Sequence, residues 1–161
     1  MHPTAQKVAD AAQKLGLAIE IKEFEASTRT AQEAAAAIGC TVAQIVKSLL
    51  FVVNGQPVMA LVSGANQLDE KKLAALCGVG RKKVKRSNAD IAREATGFAI
   101  GGVPPFGHTH QLPTYIDADF QQFDVIWAAA GTPNAVFAIT LEALVQATRG
   151  KIADLKPDIK S

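Results

Sequence analysis

Asn54-Gly55 lies between two apolar runs, Ser48–Val53 and Pro57–Val62, and it constrains the fold more than any other dipeptide in the chain. Both residues tolerate positive φ, which a two-residue turn between twisted antiparallel strands requires. The runs are therefore expected to pair as a buried hairpin.

The flanking sequence alternates between helical and strand patterns. Residues 3–15 place Val8, Ala11, Ala12 and Leu15 on one helical stripe that Gly16 ends. Residues 18–24 alternate Ile19 and Ile21 with Glu20 and Lys22, as a strand does. Thr30 and Glu33 fit a capping box that opens an alanine-rich helix stopping at Gly39. A short helical turn is expected around 42–45. Asp69–Leu76 reads as a short helix ending at Gly78, and Ser87 with Asp90 as a second capping box whose helix Gly97 closes. Thr114–Ile116, Asp124–Ala129 and Ala135–Ile139 read as strands, the last two joined through Gly131-Thr132-Pro133-Asn134. Thr140 caps a final helix to about Thr148, and Glu142 suits its positive end. Two hairpins among these helices exclude a simple βαβ repeat. The expected fold is α/β (mixed α+β): a mixed, largely antiparallel sheet surrounded by helices, with residues 1–161 as a single domain.

With 48% hydrophobic and 20% charged residues, the chain can bury a sizeable core. No apolar run is long enough for a membrane span, and residues 1–15 lack the apolar stretch of a signal peptide. A cytoplasmic location follows as the expectation. Cys40 and Cys77 have no CxxC spacing and read as buried free thiols. Arg81, Lys82, Lys83, Lys85 and Arg86 crowd five positive charges together; without them 12 of the 17 basic residues face 15 acidic ones. A basic patch on a mildly acidic body suits docking of a polyanion such as tRNA, and equally a solvated turn leading into an edge strand.

The remaining signals concern chemistry. Gly101-Gly102-Val103-Pro104-Pro105-Phe106-Gly107 combines open glycine backbone with stiff prolines. Such a segment can present amides to a substrate, or it can be a tight structural turn. Lys47 precedes the apolar run at the start of a strand. Its stem can snorkel to solvent, or its ammonium can open into a cleft as a point charge for phosphate or another polar group. Ser63-Gly64 would line the same end of the sheet. There is no G-x-S-x-G elbow and no phosphate-binding P-loop. His108-Thr109-His110 could be a metal pair only if the fold brought Asp117 to it, and no metal is expected.

The ordered set Ile45-Val46-Lys47-Ser48-Leu49, Leu68–Leu73, Thr96-Gly97-Phe98, Gly101–Gly107, Tyr115-Ile116-Asp117 and Ala130-Gly131 with Asn134 resembles the YbaK-type aminoacyl-tRNA deacylases. These share a fold with the editing domain inserted in bacterial prolyl-tRNA synthetases. The resemblance runs from about residue 3 to residue 148. It implies a stand-alone trans-editing enzyme, without metal or organic cofactor, that hydrolyses wrong amino acids from tRNA. It implies catalytic roles for Lys47 and for the backbone of Gly101 and Gly102. Ser63, Pro104, Phe106, Gly107, His108 and Gly131 would contact the substrate. Lys47 and the cluster Arg81, Lys82, Lys83 and Lys85 would hold the tRNA acceptor end. The expected partners are aminoacyl-tRNA, with tRNA(Pro) as leading acceptor, and prolyl-tRNA synthetase; neither a membrane nor DNA is expected. Pro104 stands where many relatives have serine, and Ser48 where threonine is frequent, so the amino acid removed stays open among alanine, cysteine, serine, threonine and 2-aminobutyrate. Two other readings stay open: a tRNA- or synthetase-binding module of the same fold without turnover, and a small-molecule esterase or amino-acid-binding protein that ignores tRNA.

Overall fold

The computed structural model describes residues 1–158. Among them eight strands form one sheet: β1 (Ile21–Glu23), β2 (Ile45–Val53), β3 (Gln56–Ser63), β4 (Val84–Arg86), β5 (Thr114–Asp117), β6 (Ile126–Ala129), β7 (Ala135–Ile139) and β8 (Lys151–Ala153). The helices are α1 (Pro3–Lys14), α2 (Ala31–Ile38), α3 (Glu70–Leu76), α4 (Ala89–Thr96) and α5 (Leu141–Thr148). The strand order is β1-β7-β6-β2-β3-β5-β8, with β4 added on β2. Four of the seven pairings are antiparallel and three parallel, so the sheet is mixed with a narrow antiparallel majority.

The hairpin at Asn54-Gly55 is the centre of this sheet. The two turn residues have φ of 49° and 81°, and the ladder runs unbroken from Val53↔Gln56 to Val46↔Ser63. Alternate residues of β3 then serve two cores. Met59 and Leu61 join α1, α4 and α5 on one face, while Val58, Ala60 and Val62 pack with Leu73 and Ala74 of α3 on the other. A third cluster seats α2 on Ile45 through Ala31, Ala34 and Ala35.

The caps explain most helix starts. Thr30 and Glu33 form the expected reciprocal box. Asp69 and Thr140 cap α3 and α5. The cap of α4 is Asn88 rather than Ser87: its side chain accepts from the Ile91 N–H at 2.9 Å. Asparagine competes well for this position.

Three further departures have physical reasons. β1 is shorter than the alternating pattern, because Leu17 and Ile19 pack on the core outside the ladder. A 3-10 turn at Ala118–Gln122 fills the segment between β5 and β6, its start capped by Asp117. The short strand β8, absent from the sequence reading, follows the left-handed Arg149 and pairs in parallel with β5. Cys40 and Cys77 are free and only half-buried. No helix among the described residues is long and apolar enough to cross a membrane.

Candidate active site

β2 carries different partners at its two ends. β6 pairs with Ile45 and Val46 only, and β4 with Phe51, Val52 and Val53 only. Residues 47–49 between them have no strand on that edge, and a cleft opens there. It is about 500 Å³ in volume, walled by α2 and the Thr28–Thr30 segment, by β6, and by Gly101 and Val103 of the glycine-rich loop. That size lies within the range of about 300–1,000 Å³ usual for small-molecule sites. Its charged lining residues are Lys47 and Arg29, and no carboxylate lines it.

Lys47 does not run to solvent. Its Nζ donates to the backbone carbonyl of Asn66. Burial pushes the ammonium's pKa down and Arg86 pushes the same way, while Asp117 pulls it back up. The loop that supplies the Asn66 carbonyl is itself fixed. The fully buried Asp117 carboxylate accepts from the Ser63 N–H at 3.0 Å and from Asn66 Nδ2 at 2.9 Å. It also accepts from the Asp119 N–H at 2.9 Å. Asp119 in turn accepts from Asn66 Nδ2 at 2.8 Å and from Lys156 Nζ at 2.9 Å. Asp117 is thus committed to this network, far from any pairing with the two histidines. Asp117→Ala is expected to destabilise the fold by about 3 kcal/mol, because three donors lose a buried charged acceptor. Urea denaturation measures this, and a change under about 1 kcal/mol would refute the network's weight.

The two adjacent glycines do different things. Gly101 faces the cleft with φ of 99°, and a side chain there would strike Arg29 Nε at 2.9 Å. Gly102 lies behind it. Its N–H donates to Ala99 O at 3.2 Å, and its carbonyl accepts from the Gly131 N–H at 2.8 Å. A Cβ at Gly102 would come within 2.7 Å of the Gly131 carbonyl. This pair of backbones in contact ties the loop to the Gly131 turn. That turn also braces the opposite wall, since Thr28 N–H donates to Pro133 O at 2.6 Å and Asn134 Nδ2 to Phe24 O at 2.8 Å.

The other residues expected at the site are scattered by the fold. Ser63 is buried and does not line the cleft, its Oγ donating to Ala43 O at 2.7 Å. Phe106 is a core residue, its ring tilted against that of Phe137 with centroids 5.5 Å apart. Gly107 and His108 face a second cleft on the α1 and α5 side, and His108 Nε2 lies 2.6 Å from the Pro104 carbonyl. Arg81 is ion-paired to Glu70; with Lys82 and Lys83 it forms a 3-10 turn leading into β4, on which Lys85 lies. Arg86 on that strand covers the Phe51 ring at 5.8 Å. The structure adds Arg29, Asn66 and Trp127, which sequence reasoning did not single out. Nothing in their spacing marks them; only the fold brings them to Lys47.

Comparison with known proteins gives the family. The model of the aminoacyl-tRNA editing domain matches residues 25–147, a span that contains Lys47, the glycine-rich loop and the Gly131 turn. The chain belongs to the aminoacyl-tRNA editing domain family. A candidate Cys-tRNA(Pro)/Cys-tRNA(Cys) deacylase of Enterococcus faecalis, EbsC, is 33% identical over 127 residues, covering 78% of this chain and 76% of that one. The crystal structure of a candidate trans-editing enzyme for prolyl-tRNA synthetase superposes with a TM-score of 0.92 at 44% identity, covering 98% and 99% of the two chains. The proline–tRNA ligase of Elusimicrobium minutum is 30% identical over 129 residues, which are 79% of this chain and 22% of the ligase. The editing domain seen here therefore resembles both free-standing proteins and a segment of a synthetase.

Proposed function

We propose that this editing domain acts in trans, hydrolysing the ester of tRNA(Pro) mischarged with a small amino acid. The observation that carries this reading is the cleft on the uncovered edge of β2. It is lined by two cations and no carboxylate, with Lys47 oriented by the Asn66 carbonyl.

An aminoacyl ester is already activated, so no side-chain nucleophile is needed; water can attack if the developing oxyanion is stabilised. The Gly101 N–H has no hydrogen-bond partner among the described residues and borders the cleft. It is the oxyanion donor in this reading, with Gly102 holding the loop in place from behind. Lys47 and Arg29 meet the phosphate and ribose of the terminal adenosine, and Trp127, whose ring has Lys22 Nζ 5.2 Å from its centre, borders its base. An editing site has to discriminate by excluding the larger correct residue, because one methylene is worth only about 1–3 kcal/mol in a binding pocket.

Ser48 fits the same reading. Its Oγ is buried beside the cleft with no hydrogen-bond partner among the described residues. A buried hydroxyl left unpaired in the free protein gains a partner if it turns into the cleft to meet the substrate. Ser48→Ala is expected to leave stability unchanged or raise it by up to about 1 kcal/mol, and to raise KM about 3–10-fold. A loss of stability, or an unchanged KM, would remove Ser48 from the site.

The test is binding of a non-hydrolysable 3′-alanylamido-adenosine followed by amide and lysine NMR shifts. The reading predicts shifts at Lys47, Ser48 and Gly101. Shifts confined to other regions would sink it, and binding of free amino acids without the adenosine would favour a small-molecule site.

A further inference from the structure

The glycine-rich loop has a second side. Pro105–His108 border another cleft, about 630 Å³ in volume, between α1 and the end of α5. Three cations reach it from two elements: Lys7 and Lys14 on α1, and Arg149 at the residue that ends α5. Among the described residues none of the three is ion-paired. By contrast Arg81, in the densest basic run of the sequence, already pairs with Glu70. Asp10 is the one acidic residue bordering the second cleft, and its Oδ1 accepts from Gln6 Nε2 at 2.9 Å. His108 and His110 complete the titratable lining. Lys7 Nζ stands 5.3 Å from the centre of the Phe98 ring.

Three cations that converge on a concave surface with Asp10 as the single counter-charge leave it net positive, and a concave wall concentrates their field. Such an arrangement is relieved by an anion that spans the cleft. We propose that the second cleft is a phosphate-binding site that takes the sugar–phosphate backbone of the tRNA acceptor stem while the first cleft holds its aminoacyl end. This rests on the editing reading above. The loop is the shared wall: Gly101 and Val103 face the first cleft, and Pro105 to His108 the second. A strand whose end lies against Gly101 and which crosses this loop meets Lys7, Lys14 and Arg149 on its far side. Contacts of this kind position a nucleic acid without reading its sequence.

The test uses the full chain with Lys7→Gln, Lys14→Gln and Arg149→Asn combined. Asparagine is chosen because residue 149 has φ of 55°, which asparagine tolerates. Two measurements are made: affinity for a tRNA(Pro) acceptor-stem hairpin bearing a non-hydrolysable aminoacyl amide, across a salt series, and single-turnover hydrolysis of a short aminoacyl-CCA ester. The hairpin is expected to bind about tenfold or more weakly, with a log–log salt slope smaller by about 2–3. Turnover of the short ester, which does not reach the second cleft, is expected to be unchanged. Single Lys7→Gln and Lys14→Gln variants, both exposed on α1, should each lower the slope by about 1 and serve if the triple variant folds poorly. Parental affinity and slope in these variants would overturn the proposal. So would loss of the slope only in a Lys82→Gln/Lys83→Gln/Lys85→Gln variant, which would put the stem on the β4 side. A parent chain that cleaves no ester, yet binds the hairpin through these three cations, would keep this site and remove the editing reading instead.

Discussion

Lys47→Ala should lower single-turnover deacylation about 10²–10³-fold, the usual effect of removing one charge-stabilising donor from a site of this kind. The fold should survive it. Lys47 gives its one hydrogen bond to a loop carbonyl, and burial already works against its charge, so truncation removes a cost as well as a contact. The Asn66 loop is held independently through Asp117. Activity and melting temperature should therefore separate: the first collapses and the second moves by no more than a few degrees. Arginine is a poor replacement, because a planar fork does not reproduce the compact ammonium between Asn66 and the cleft. Near-parental turnover in Lys47→Ala would mean that the cleft is not where the ester is cleaved.

Gly102→Ala should do the opposite and damage both. The added Cβ would sit 2.7 Å from the carbonyl carbon and oxygen of Gly131 and 2.8 Å from the Thr132 nitrogen, all of them backbone atoms. Nothing there can swing aside, so the loop and the turn must part. Overpacking of this kind costs about 1–3 kcal/mol, and each kcal/mol lowers the melting temperature of a chain this size by about 2–4 °C. Gly101 rides on the same loop, and a displacement of about 1 Å at a reacting centre can lower the rate about 10²-fold. Gly80→Ala is the control, since a Cβ there meets nothing within 4 Å. Equal melting and equal turnover in Gly102→Ala would show that the loop's contact with the Gly131 turn does not hold the site.

Local chemistry made much of the fold legible. The Asn54-Gly55 turn, the Thr30–Glu33 box and the Thr140 cap each act within a few residues, and each stands where expected. Ser87 failed as a cap because Asn88, one residue on, competes for the same helix end. β8 escaped notice because three residues pairing in parallel on a distant strand leave no local pattern. The site divides in the same way. Lys47 and Gly101 stood out by residue type and meet in one cleft. Phe106, Gly107 and His108, only a few residues along the same loop, turn to the core or to the other cleft. A stiff loop that walls two clefts shows one half to each, and residue order does not reveal where it changes sides. The carboxylate of Asp117 looked like a possible metal ligand in sequence, but its partners are backbone and amide N–H groups brought together by long-range folding.

The most direct measurement is single-turnover deacylation of tRNA(Pro) charged in turn with alanine, cysteine, serine, threonine and 2-aminobutyrate, with prolyl-tRNA(Pro) as control. The account predicts rapid release of one or two of the small residues, no release of proline, and loss of that release in Lys47→Ala. Equal hydrolysis of all six, or none of any, would contradict it.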